Sequence, residues 1–152
     1  MLSEISFDQI AVVLEAWDLA RSGSDKFDEE FGLVALERLF ELQPDTKKVF
    51  GFDLSDEIGK SRASVHANAF ALLFDSVFQM LGPDIQFTQD ILEDLGHKHK
   101  AFGVNPTFFP VMGQAVMHAL EYFIGSKLTP EQKNVWIEVY VAITDEIVKN
   151  MA

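Results

Sequence analysis

Apolar residues recur every three or four positions along nearly the whole chain, the spacing of helices with one buried face. Ile10, Val13, Leu14 and Trp17 share one face of a helix predicted from about Phe7 to Arg21. Ser22, Gly23 and Ser24 break it, and Asp25 or Ser24 is placed to cap the next helix, where a short side-chain oxygen accepts first-turn N–H groups. That second helix carries Phe31, Leu33, Leu36 and Phe40 and stops before Pro44, whose ring disfavours helix in the preceding residue. Pro44 itself suits the opening of a short helical turn. Beyond Phe50-Gly51-Phe52 and a polar loop, the longest helix is predicted from roughly Asp56 to Leu81. It sets His66, Phe70, Leu73, Phe74, Val77 and Leu81 on one stripe, and Gly82-Pro83 ends it.

A shorter helix, about Thr88 to His99, aligns Ile91, Leu92, Leu95 and His99. The next, about Pro106 to Ile124, presents Phe109, Met112, Val116, Leu120 and Phe123. Thr129-Pro130-Glu131-Gln132 reads as N-cap, first-turn proline and capping-box partner of the last helix. No segment alternates as a strand does, and none is repeated or of low complexity. The expectation is an all-α fold of six or seven helices of unequal length, which suits an irregular helical architecture better than a regular four-helix bundle. Its loops are too short to separate a second domain, so residues 1–152 read as one unit.

Composition sharpens this picture in three places. Fourteen Phe against two Tyr and two Trp favour a dry interior or an apolar pocket for a large flat ligand, because Phe has no polar tip to satisfy. The absence of cysteine excludes disulfides, thiolate nucleophiles, Cys-based zinc sites and Cys-held iron–sulfur clusters. A net charge of −12 repels phosphate backbones and anionic lipid, so neither nucleic acid nor membrane is an expected partner. Glu4 and Asp8 interrupt the only early apolar stretch, and the longest later one, Phe70 to Leu81, is broken by Asp75. A cytoplasmic protein is the expectation.

No phosphate-cradling Gly-rich loop, paired metalloprotease histidines or nucleophile elbow is present. The acidic residues are scattered over polar faces, and no carboxylate pair for acid–base work stands out. The four histidines say more. A lone His on an apolar face is usually a packed residue bonded to a backbone carbonyl. Here two of them, His66 and His99, lie on the apolar stripes of two helices joined by a short turn. Antiparallel packing points both imidazoles into one gap that Phe50, Phe70, Leu92, Leu95 and Phe109 can line. A dry slot with an imidazole on each wall is what an iron porphyrin needs. A two-His zinc site competes, but zinc usually takes three or four protein ligands. His97 and His118 fall off the main stripes and read as surface residues.

These residues resemble the globins, and among them the neuroglobin-like branch. Trp17 in VVLEAWDLAR is similar to the tryptophan of the first globin helix. FGLVALERLFELQPDTKKVFGF resembles the second helix and the corner after it, with Gly32 as the helix-crossing glycine, Leu36 as a distal-pocket residue, Pro44 opening the third helix and Phe50 stacking on the porphyrin. SVHANAF sets His66 at the distal histidine, and LEDLGHKHKAFGV sets Leu95, His99 and Val104 at the proximal-helix leucine, the iron-ligating histidine and a haem-contacting valine. The LGxKH arrangement is the neuroglobin-like feature, and LTPEQKNVWIEVY resembles the start of the final helix.

The resemblance implies a globin-like fold of six to eight helices around a haem pocket, one globin domain over 1–152, and haem b (iron protoporphyrin IX) held by His99. The implied function is reversible binding of O2, or of CO or NO, for transport, storage or sensing, without enzymatic turnover. His66 then either hydrogen-bonds the gas or itself ligates the iron. Two other readings stay open: a haem-free globin-like sensor or interaction module, and a haem-dependent redox enzyme such as a nitric-oxide dioxygenase. A homo-oligomer and a reductase partner are compatible with the first and third. Three departures stand out. Phe70 replaces the smaller residue common one turn after the distal histidine, and its ring narrows the ligand pocket if it points inward. Ala69 sits where some relatives carry a basic residue for the haem propionates, leaving Arg62 or Lys100 to substitute. The stretch from Ala20 to Glu30 is longer than in the vertebrate members.

Overall fold

The computed structural model of the chain describes residues 2–152. Seven α-helices follow in order: α1 (Phe7–Arg21), α2 (Phe27–Leu42), α3 (Thr46–Phe50), α4 (Glu57–Met80), α5 (Ile85–Ala101), α6 (Phe108–Ile124) and α7 (Pro130–Lys149). Two 3-10 turns, Leu2–Glu4 and Gly125–Lys127, complete the described elements, and no strand is among them. No described helix is long and apolar enough to cross a membrane.

The helix ends follow from local chemistry. Ser6 and Gln9 cap α1 reciprocally, and Thr129 and Gln132 do the same for α7, with Pro130 in its first turn. The Asp56 carboxylate accepts the Gly59 N–H at 2.6 Å at the start of α4. The expected cap of α2 is different: Lys26 occupies that position without a side-chain bond, while Ser24 accepts the Lys26 N–H in the turn before it. Pro44 likewise sits ahead of α3, which begins at Thr46 after Asp45, and contributes its carbonyl to the Lys47 N–H. The fifth helix starts one turn earlier than its apolar pattern, at Ile85, because the Asp84 carboxylate accepts the Phe87 N–H. Ile85 and Phe87 are apolar yet exposed, so they lie off the buried stripe of that helix.

At the centre, α2 packs on α4 and α6, α1 on α7 and α6, and α5 on α7. The face that α4 buries matches the expected stripe at Phe74, Val77 and Leu81 but differs from it in the first half of the helix. Ala63, Ala67 and Ala71 form a row in which each is fully buried, continued by Phe74 and Phe78, while His66 and Phe70 flank it. Alanine is too small to mark a stripe in a hydropathy pattern, but small size is what a close crossing requires. A Cβ on Gly32 of α2 would lie 2.4 Å from the Cα of Ala67, so only glycine permits this approach of the two backbones.

The main core gathers around Trp17, whose ring has Phe27, Phe31, Phe78 and Trp136 within 5.1–6.0 Å. Its indole N–H donates to Asp75 at 3.1 Å. Arg21 bridges Asp28 at 3.0 Å and Asp75 at 3.4 Å and stacks over the Trp17 and Phe27 rings, joining α1, α2 and α4. A second, smaller core holds Leu36, Leu39, Phe40, Ala63 and Ala115, with Phe50, Phe52 and Leu54 packed on it. A domain of this size usually has one contiguous core. Here Met112 of α6 packs against both.

Candidate functional site

His99 lies in the last turns of α5 and is half-buried. Its Nδ1 is 2.6 Å from the carbonyl oxygen of Leu95, one turn back. A carbonyl only accepts, so this bond places the hydrogen on Nδ1 and leaves the lone pair on Nε2. The Val104 N–H donates to the His99 carbonyl at 3.0 Å, which folds the chain after α5 back against that turn. From α6, the Phe109 ring packs 5.3 Å from the imidazole. The Phe109 carbonyl in turn accepts the Tyr140 hydroxyl at 2.7 Å, fixing α6 to α7 beside the histidine. Burial raises the Tyr140 phenol well above its ordinary range.

His66 stands on the exposed flank of α4. The Phe50 ring meets it edge-on at 5.5 Å, and the Phe52 ring lies tilted by 35° at 5.4 Å. One turn on, Phe70 turns inward, stacked on Phe31 at 6.5 Å and edge-on to Phe74 at 4.7 Å. Leu36 is buried in the smaller core beside Phe40 and Ala63. The site residues expected from sequence thus form two groups. His66 and Phe50 belong with Leu36 on the side of the smaller core, whereas Phe70, Leu95, Val104 and Phe109 pack against the main one, with His99 against Phe109. Leu92 is not a lining residue of a cleft: at 1 % exposure it belongs wholly to the main core. Phe52 is the residue that the hydrophobic pattern missed, because it lies in a loop with no periodicity to mark it.

His97 and His118 are exposed. His118 lines a separate hollow of about 710 Å³ between α2, α6 and α7, which shares Phe109 and Tyr140 with the residues above. Of the two basic candidates, Lys100 is engaged at 3.2 Å with the Ala152 carbonyl oxygen. Arg62 is exposed beside Lys47 and Lys48 on a surface cleft next to Phe52.

Among the described residues no three His, Asp or Glu side chains converge to hold a metal ion, which weighs against a zinc site built by the chain alone. A single imidazole nitrogen suffices when the metal arrives inside a macrocycle. The oriented His99, the flanking phenyl and aliphatic side chains and the division between two cores fit a flat apolar group carrying its own metal.

The all-helical fold with one histidine on α4 and another on α5 is that of a haem-binding class, and the chain belongs to the globin family, whose profile matches residues 33–147. Within the globins it resembles the neuroglobins. The neuroglobin of Tetraodon nigroviridis is 24% identical over 156 aligned residues, 99% of this chain and 95% of that one. The neuroglobin of Dissostichus mawsoni is 29% identical over 114 residues, 72% of this chain and 71% of that one. In fold the chain is similar to a hexacoordinated heme protein from an anhydrobiotic tardigrade, solved at pH 4, with a TM-score of 0.82, 18% identity and coverage of 97% and 96% of the two chains.

Proposed function

We propose that residues 1–152 form one haem b globin domain that binds a small gas, O2 or else CO or NO, reversibly and without turnover. The observation that carries this reading is the 2.6 Å bond from His99 Nδ1 to the Leu95 carbonyl. It fixes the tautomer and ring plane of the one imidazole whose Nε2 is free on the apolar side of α5. His99 would supply the fifth iron ligand, and Phe50, Phe70, Leu36, Leu95, Val104 and Phe109 the dry walls. Haem, when bound there, would supply the iron chemistry that takes up a diatomic gas.

The side chains do the rest. Phe70 excludes water and restricts the size of what enters. His66 would donate a hydrogen bond to the gas and, in its absence, would itself be able to ligate the iron. The second role is favoured by the resemblance to neuroglobins and by the hexacoordinated state of the tardigrade protein of like fold. Arg62, with no competing partner of the kind that engages Lys100, is the residue proposed for the propionates.

Absorption spectra of the purified protein, with and without dithionite and CO, test the proposal. A haem spectrum that shifts on adding CO is expected, and His99→Ala should abolish or severely weaken haem retention. A colourless protein that takes up no haemin, or a His99→Ala variant with an unchanged spectrum, refutes it. His66→Leu should keep the haem but change gas affinity and convert the deoxy ferrous form from low to high spin. A five-coordinate wild-type deoxy form would remove the sixth-ligand role.

A further inference from the structure

The position of the His66 ring has a cause that neither the helix pattern nor the resemblance supplies. Among the described residues none hydrogen-bonds its nitrogens, and ring contacts are the specific interactions it makes. Two phenyl groups make those contacts, the Phe50 ring perpendicular to the imidazole and the Phe52 ring tilted by 35° to it. The two rings meet each other at 5.7 Å, and both rest on Phe40, at 5.7 and 6.3 Å. Phe40 is buried in the smaller core. His66 is therefore the outermost ring of a four-membered aromatic cluster anchored in the interior.

The backbone between the two phenylalanines makes this arrangement available. Gly51 ends α3 with φ +77°, a left-handed turn that brings residues 50 and 52 to the same imidazole. Phe50 lies on α3 and Phe52 in the loop beyond it, so the second ring depends on that turn.

We infer that Phe52 is a positioning residue that holds the His66 imidazole at the corner after α3 and so competes with the axial position for it. This rests on the distal role proposed for His66. Moving His66 to an axial ligand position means leaving the face of Phe52. An aromatic pair of this geometry biases such an equilibrium by roughly two- to twelve-fold. Phe50 meets the imidazole at right angles and is shared with the proposed haem wall. Phe52 has no such duty of its own, and besides His66 its ring meets only Phe50 and Phe40 of the same cluster among the described rings.

The test uses the ferrous, haem-loaded protein and four variants: Phe52→Leu, Phe52→Tyr, His66→Leu and Phe52→Leu/His66→Leu. The occupancy of the sixth position by His66 is read from the deoxy absorption spectrum and from competition with CO. Phe52→Leu keeps an apolar side chain but loses the flat ring, and should strengthen internal His66 ligation about two- to twelve-fold, lowering apparent CO affinity by the same factor. Phe52→Tyr keeps the ring and should stay close to wild type. With His66→Leu in place, Phe52→Leu should have no effect on CO affinity, an outcome that a merely structural role would not give.

If His66→Leu changes neither spectrum nor CO affinity, the distal reading itself fails. If His66→Leu changes them but Phe52→Leu does not, the inference about Phe52 is overturned and the distal reading stands. Should Phe52→Leu fail to fold, nuclear Overhauser contacts between the Phe52 and His66 rings in the diamagnetic CO form decide the matter. Their presence supports the contact, and their absence rejects it.

Discussion

Replacing Gly32 with alanine puts the crossing of α2 and α4 under direct strain. The added Cβ would stand 2.4 Å from the Ala67 Cα, 2.5 Å from its Cβ and 2.5 Å from its carbonyl oxygen. Carbon atoms rest at about 3.5–4.0 Å, so the two helices must part by roughly 1 Å at this point. Two of the three opposing atoms are backbone, and no rotamer change relieves them. Alanine recovers up to about 1 kcal/mol over glycine in helix propensity. Against this stand an overpacking cost of about 1–3 kcal/mol and the loosening of the buried alanine row on either side. The net expectation is a loss of about 1–3 kcal/mol, or roughly 3–10 °C in Tm for a chain of this length. Urea denaturation followed by helical circular dichroism, with and without haemin, measures it. Because Ala67 directly follows His66, the same variant should shift the haem absorption bands. Adding Ala67→Gly removes the Cβ contact but not those to Cα and oxygen, and should restore less than half of the loss. A Gly32→Ala variant as stable as wild type would show that the backbones do not meet there.

Other perturbations test separate parts of the molecule. Asp75→Ala strips the partner from the Trp17 indole N–H and one of the two carboxylates from Arg21, which keeps Asp28. It should cost about 1–3 kcal/mol in denaturant unfolding; no measurable loss would mean that this network is incidental. Tyr140 has its phenol raised by burial, so folding stability attributable to it is complete below about pH 10 and is lost as the pH rises further, where the unfolded chain ionises first. Tyr140→Phe should flatten the fall in stability above pH 10 relative to wild type, and an unchanged slope refutes the assignment. If Phe70 walls the gas site as proposed, Phe70→Val should raise the rate of alkyl isocyanide binding relative to CO by on the order of tenfold. Equal ratios in the two proteins would show that the ring does not limit access.

How much of this was legible in the sequence depended on how local the signal was. Thr129 and Gln132 cap α7 through neighbours three residues apart, and Trp17, Phe31, Val116 and Trp136 announce their burial by helical spacing. His66 and His99 could be singled out because each is a polar residue on an otherwise apolar face. The alanine row of α4 could not, since its importance lies in what approaches it rather than in its own hydrophobicity. Ile85 and Phe87 failed in the opposite sense, as apolar residues on the exposed first turn of α5. Phe52 was illegible for a third reason. Its contact with His66 depends on the dihedral of Gly51 and on a helix that starts five residues later.

The meeting of Gly32 with Ala67 also limits how the molecule can breathe. Helices with intervening side chains slide by letting rotamers interconvert, whereas two main chains in contact have no such lubricant. The pair α2–α4 therefore moves as one rigid body at that level. On the proposed function, passage of a diatomic molecule past residue 66 would draw its freedom from side-chain rotation or from the irregular segment 52–55, between the last helical bond of α3 and the first of α4.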